Sequence, residues 1–424
     1  MSIERVLENS GMREEVVVTG LGVASAAGVD VATYWNRLLR LDSGVRRRSE
    51  GAGGTLYEAA VDEAGLAGAK AEFGVRATDR VVTLMTIACH QAWKDAGFQG
   101  PAKGRLSQRA GAILGSGLGG IQFQEEQIWR LLGSRDDRIH PHTVPRVSTT
   151  AMVTDIARAL DLRGPGFVVS SACASAAHAL GQAMRTISYG DADVVVCGGA
   201  EAPLGDFSVR AFSLLGVLAH STGDPKSACK PFDERRDGFV LGEGAGALVL
   251  ESAHHARKRG ARIYARLAGY GQSLGAYHAV HARPDGEDAA LAMRLALQDA
   301  RVAMEQVGYV NAHGTGTREN DVAESRAIQS VFGTQATHLP VSSIKPITGH
   351  TLGAAGALEA VATVKTVETG IAPPSGNCIF ADPACPVRVI TEPTEIPKRA
   401  RFALSNSFGF GNVNAALLFA EEES

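Results

Sequence analysis

Cys173 follows an apolar run, GFVVSS (166–171), and stands where an Ala-rich helix should begin. A thiol at a helix start meets the first-turn N–H groups and the positive end of the helix dipole, which favour a thiolate and hence a nucleophile. His313 ends the strand-like stretch VGYVNAHGTGT (307–317). His350 lies in SSIKPITGHTLGAAGALEA, just before a helix, with Lys345 five residues upstream. All three reactive side chains stand in strand-to-helix loops, where open α/β folds build their sites. A cysteine with two histidines can activate a thiolate and polarise a carbonyl. The rival for any single cysteine is plain packing as a small apolar residue, and Cys89 and Cys197, inside apolar runs, fit it. Zinc is disfavoured, because Cys and His ligands come as close pairs such as C-x-x-C and none of these residues is so paired. No metal is expected.

Two Gly-rich segments invite other readings. GSGLGG (115–120) does not match G-x-G-x-x-G with its following acidic residue, so tight packing is favoured over dinucleotide binding. SFGFGNVN (407–414) could present backbone N–H groups to an oxyanion, or be an ordinary hairpin turn.

The elements that must position these residues alternate. VVVTGLGVAS (16–25), GAILGSG (111–117), GFVVSS (166–171) and DADVVVCGGAE (191–201) read as strands, and RVVTLMTIACHQAWKDAG (80–97) as a helix with a Gly stop. The second half repeats the plan. RIYARLAGYG (262–271) and VGYVNAHGTGT read as strands, EDAALAMRLALQDA (287–300) as a helix, and residues 339–370 as strand, loop and Ala-rich helix. Alternation of this kind predicts a parallel sheet covered by helices on both faces. FVVSSACASAAHAL (167–180) and LPVSSIKPITGHTLGAAGAL (339–358) both run strand, Ser-Ser, loop, small-residue helix. We infer an internal duplication: a tail at 1–14, a first half at 15–260 and a second at 261–424, in one compact body without a low-complexity linker.

Composition narrows the classes. The 424 residues are 45% hydrophobic and 21% charged, with 42 Lys plus Arg against 45 Asp plus Glu, a formal charge of -3. That excludes a mainly disordered chain and offers no basic excess for nucleic acid. Six cysteines are too sparse for a disulfide framework. The polar start MSIERVLENSGMRE is no signal peptide, and no apolar run reaches the roughly 18 residues of a membrane span. A reduced, soluble, cytoplasmic protein is expected.

SSACAS, KPFDERRDGFVLGEGAGALVLE (230–251), NAHGTGT and SSIKPITGHTLGAAG, in that order, resemble the β-ketoacyl-(acyl carrier protein) synthases of the thiolase superfamily. The similarity runs from VVVTGLGVAS to SNSFGFGNVNAALLF, and is nearest to the type II synthases of fatty acid synthesis and the ketosynthase subunit of type II polyketide systems. The resemblance implies an α/β, five-layered αβαβα thiolase-like fold with internal duplication. It implies an acyltransferase that condenses an acyl thioester with malonyl carrier protein, losing carbon dioxide. By motif, Cys173 matches the acyl-accepting nucleophile and His313 and His350 the catalytic pair. Lys345 matches the lysine that organises the site, with Glu359 as its ion-pair partner and Thr315 and Thr317 in support. Phe410 matches the gating phenylalanine, with Phe408 beside it, and the N–H groups of Cys173 and Phe410 would form the oxyanion hole. Leu118 would line the acyl pocket floor, which Thr143 would approach from the partner subunit of a dimer.

The implied partner is an acyl carrier protein, which brings its own phosphopantetheine, so no resident cofactor is expected. Homodimer and heterodimer with a chain-length-factor homologue both stay open, as do chain length and fatty acid against polyketide or polyene synthesis. Two positions depart from the family: Asn412 replaces a glycine in GFGNVN, and Gly216 stands where a basic residue is common. TRENDVAE (317–324) is more like the polyketide-type enzymes. Three rivals are a thiolase, which would need a second, C-terminal cysteine; a chain-length-factor-like subunit, which lacks the nucleophile; and a cysteine hydrolase, which would need a third orienting residue.

Overall fold

The computed structural model describes residues 13–48, 56–76, 79–133, 139–220, 223–397 and 400–422. Most of the expected tail, residues 1–12, lies outside the described residues. Eleven strands form one mixed sheet in two topologically matching halves. In the first, β1 (Val16–Ser25), β2 (Ala110–Gly115), β3 (Gly166–Val169), β4 (Val194–Glu201) and β5 (Gly244–Ser252) lie in the order β3-β2-β4-β5-β1. In the second, β6 (Ala265–Leu274), β7 (Val307–Asn311), β8 (Pro340–Ser342), β10 (Phe402–Gly409) and β11 (Val413–Ala420) lie in the order β8-β7-β10-β11-β6, with short β9 (Arg388–Val389) at the outer edge. Each half therefore reads third, second, fourth, fifth, first, as a duplication demands. The two first strands join the halves through antiparallel pairs Val17–Arg266 and Val18–Ala265.

The expected parallel pairing holds for β3-β2-β4 and for β8-β7-β10. It holds also for β8–β9 but not for β4–β5, β5–β1, β10–β11 or β11–β6, which are antiparallel. At β10–β11 the reason is chain length. Three residues, 410–412, separate the strands, and a parallel crossover needs a dozen or more.

Helices complete the layers. α1 (Arg80–Asp95) covers β1, β5 and β4 from outside, and α3 (Glu287–Ala300) covers β6 and β11, with α4 (Arg318–Phe332) beside it. Between the half-sheets lie α2 (Ser175–Ser188) and α5 (Ala355–Thr369), packed on each other and on strands of both halves. The result is the five-layered αβαβα arrangement. The Ala-rich composition of α2 and α5 suits this place, because a helix walled in on every side has room only for short side chains.

A repeated G-x-G seats the outer helices. A Cβ on Gly20 would fall 2.0 Å from Ala92 O, and one on Gly22 2.0 Å from Ala88 O. In the second half, Gly269 would meet Ala296 O at 2.3 Å and Gly271 would meet Ala292 O at 2.0 Å. Only glycine permits that approach, so TGLG and AGYG carry the same instruction twice. Among the described residues, no helix is long and apolar enough to cross a membrane.

Candidate active site

Cys173 lies in the link between β3 and α2, one residue before the helix N-cap, Ala174. Ala172 before it takes a left-handed φ of +50°, an uncommon conformation for alanine and a usual mark of a tightly specified turn. Ser175 holds the turn: its Oγ donates to Ala172 O at 2.7 Å and accepts from Ser171 N at 2.9 Å. The β10–β11 hairpin comes down on this turn. A Cβ on Gly409 would stand 3.1 Å from Ser171 O and 3.3 Å from Cys173 N, so glycine there lets the two segments meet. The Phe410 N–H is directed at the cysteine and lowers its pKa. SFGFGNVN is thus both a hairpin turn and a wall of the site.

Cys173, His313, His350, Phe408 and Phe410 line one cavity of about 380 Å³, together with Thr315 and Thr317. The His313 and His350 rings meet edge to face at 5.3 Å, and Phe408 lies 5.9 Å from His313. His350 also packs edge-on against Phe239 at 4.9 Å. The Thr315 and Thr317 hydroxyls share a hydrogen bond of 2.9 Å, and Thr317 caps α4.

Lys345, 1% exposed, is fully enclosed. Its ammonium donates to Glu359 Oε1 and to the His313 carbonyl, and stands 3.4 Å from His313 Nδ1. Beside an ammonium, Nδ1 can only accept, so the imidazole carries its proton on Nε2. Burial, then Lys345, then His350 hold the His313 pKa well below the ordinary imidazole value. Burial and Lys345 do the same to His350, whose Nδ1 has no hydrogen-bond partner among the described residues. Both rings are neutral near pH 7.

The helix start does not supply the expected thiolate. Burial pushes the Cys173 thiol up to about 12, outweighing the lowering effects of Lys345 and the Phe410 N–H. The resting nucleophile is a thiol, and the hydrogen-bond donors around it matter most once negative charge develops.

Two buried carboxylates frame the site and escaped the sequence reading. Glu324, on α4, accepts from His313 N and Gly314 N, both at 2.8 Å. Glu201, at the end of β4, accepts from Gly117 N at 2.7 Å, Leu118 N at 3.0 Å, Ser116 Oγ at 3.0 Å and Gly353 N at 3.1 Å. Each grips the turn after the second strand of its own half. Burial pushes both up to about 7 against these hydrogen bonds. Within TRENDVAE, only its packing beneath His313 distinguishes Glu324.

The single chain does not bring Leu118 or Thr143 into the cavity. Leu118 is 37% exposed, and Thr143 opens a short helix, Thr143–Val147, with its hydroxyl on His140 O. Gly216, at φ +69°, lines the cavity mouth with open space around it.

Comparison with known proteins agrees with this geometry. The family model described as beta-ketoacyl synthase, N-terminal domain, matches residues 13–256, and its C-terminal domain matches residues 264–378. The chain is 37% identical to 3-oxoacyl-[acyl-carrier-protein] synthase 2 of Coxiella burnetii, over 96% of this chain and 99% of that one. It is 35% identical to the protein of that name from Staphylococcus aureus strain N315, over 97% and 99%. Among solved structures, it superposes with a TM-score of 0.88 and 32% identity on a chain of a type II PKS acyl-carrier protein complex with its ketosynthase, covering 97% of this chain and 100% of that one. The ishigamide ketosynthase/chain length factor gives a TM-score of 0.87 at 32% identity, with the same coverage. The fold, the cavity and these matches together place the chain in the β-ketoacyl synthase family.

Proposed function

We propose that this protein is a 3-oxoacyl-(acyl carrier protein) synthase that acts through Cys173. The carrying observation is that Cys173, His313, His350 and Phe410 line one cavity, with the Phe410 N–H directed at the thiol. In the first half-reaction, Cys173 Sγ attacks an acyl thioester on a carrier protein. Negative charge gathers on the carbonyl oxygen, and the N–H groups of Cys173 and Phe410 stabilise it. The carrier's pantetheine sulfur departs, taking up the proton that the thiol gives up, so no net charge is left in the buried site. In the second, malonyl thioester enters. His313, fixed as the Nε2–H tautomer, and His350 donate to its carbonyl, so that carbon dioxide loss leaves a stabilised enolate. The carbanion attacks the acyl-cysteine, the C–S bond breaks, Cys173 Sγ takes up a proton from solvent to become a thiol again, and a 3-oxoacyl product two carbons longer leaves on the carrier.

The phosphopantetheine arm would belong to the carrier, and the Thr315 and Thr317 hydroxyls are polar groups on the cavity wall available to its amides. The rival chemistries fit less well. A thiolase base is missing from SFGFGNVN, and a subunit without catalysis would have no use for Cys173. His313 Nδ1 faces an ammonium rather than the orienting amide or carboxylate of a cysteine hydrolase.

A second subunit would complete the acyl pocket. β3 is an edge strand with Phe167 exposed, and Trp129, Leu132 and Val144 are also open to solvent on the chain as it stands. We read a dimer through this region, homo- or heteromeric with a chain-length-factor homologue, with Leu118 and Thr143 serving a pocket between subunits. The reading is of a cytoplasmic enzyme in fatty acid or type II polyketide synthesis. Incubation with acyl and malonyl carrier proteins, following carbon dioxide and product mass, tests it.

A further inference from the structure

Asn412 stands where the family pattern has glycine, and its side chain does something glycine cannot. Its φ of +56° lies in the left-handed region, which asparagine tolerates better than most residues. It is 6% exposed. Its amide reaches out of the gate hairpin to a separate segment. Nδ2 donates to His278 O at 3.0 Å and to His281 O at 3.1 Å, and Oδ1 accepts from Arg283 N at 3.3 Å. Its own carbonyl accepts from Gly275 N at 2.9 Å, the one of these links that glycine would keep. Asn414 Nδ2 holds the same carbonyl at 3.0 Å. Val280, His281, Ala282 and Arg283 line the cavity, as do Phe408 and Phe410 on the hairpin. The far side of that segment is tied less firmly, by an exposed contact of 2.8 Å between His281 Nδ1 and Glu319 Oε2.

We infer that Asn412 is a positioning residue that clamps the entrance segment 278–283 to the Phe408–Phe410 hairpin, so that mouth and gate move as one piece. Its effect on catalysis rests on the condensation reading; the clamp itself does not. Asn412→Gly is the decisive variant, because glycine keeps the left-handed backbone while deleting all three side-chain bonds. Asn412→Asp keeps the acceptor for Arg283 N but replaces both donors with an oxygen facing two carbonyls. The experiment is amide hydrogen exchange on the substrate-free full chain, paired with steady-state kinetics. In both variants, exchange across 278–283 should quicken by about tenfold or more, as loss of two or three part-buried hydrogen bonds implies. The core strands should exchange at the wild-type rate. KM for malonyl carrier protein should rise by a larger factor than kcat falls. Unchanged exchange in both variants would overturn the clamp. Faster exchange with kcat falling and KM fixed would overturn its role in entry. A wild-type protein that fails to condense would sink the functional reading and leave the exchange result standing.

Discussion

The Lys345 ammonium stands 3.4 Å from His313 Nδ1 while also donating to the His313 carbonyl, so one buried cation fixes both the ring and the backbone of the same histidine. That arrangement makes the imidazole a donor through Nε2, and burial together with the ammonium keeps it neutral. His313→Ala and His350→Ala should each impair malonyl decarboxylation more than acylation of Cys173. Losing one preorganised donor costs about 10²–10³ in rate at comparable sites. Carbon dioxide release and acyl transfer, measured separately, check this. A variant that lost acylation but kept decarboxylation would require the roles to be reassigned.

Lys345→Ala leaves Glu359 buried without its cation. Breaking such a pair costs about 3–5 kcal/mol, so the variant should melt at a markedly lower temperature and lose activity. Adding Glu359→Gln should recover part of the stability and none of the activity. Thermal unfolding of the single and double variants is the measurement.

Glu201 ties stability to pH. Burial raises its folded pKa from the ordinary 4.5 to about 7. The folded state therefore holds a proton that the unfolded state has released, and the stabilisation this gives is complete below pH 4.5 and lost as pH rises through 7. Glu201→Gln removes this titration. The stability advantage of wild type over the variant should shrink between pH 4.5 and 7 and stay level above. Denaturant titrations of both proteins across that range would show a constant gap if the carboxylate ionised normally.

Thr143→Phe probes the proposed pocket between subunits. In a homodimer the larger ring should shorten the accepted acyl chain by filling space, an overpacking effect. In a heterodimer it would face the partner's pocket and leave chain preference almost unchanged. Acyl preference, measured alone and with any partner, distinguishes these outcomes. No change in a proven homodimer would reject the pocket assignment.

What could be read from the sequence depended on how local its cause was. Cys173, His313 and His350 stood out because apolar runs ending in small polar turns mark strand ends, and the fold puts those ends in one cavity. The duplication was visible in the Ser-Ser motifs, and a sharper trace lay in TGLG and AGYG, where glycine admits an Ala-rich helix. Glu201 and Glu324 were hidden because most of their partners are backbone N–H groups of distant or folded-back turns, and no side-chain pattern announces them. The resting state of Cys173 was misjudged for a related reason: helix position is local, whereas the burial that governs the thiol comes from the whole fold. Asn412 looked only like a lost glycine until its amide was seen to hold another segment.

Acylation should be confined to one residue. After incubation with acyl carrier protein, mass spectrometry of digested peptides should find the acyl group on Cys173 alone. Label on Cys89 or Cys197, both fully buried in the core, would sink the assignment.

The central claim is tested most directly by supplying acyl and malonyl carrier proteins together and measuring carbon dioxide released against the mass of the carrier-bound product. The account predicts one carbon dioxide for each 3-oxoacyl product, two carbons longer than the acyl donor, and no such product from Cys173→Ala. Free fatty acid with no carbon dioxide, or an elongated product from Cys173→Ala, would contradict it.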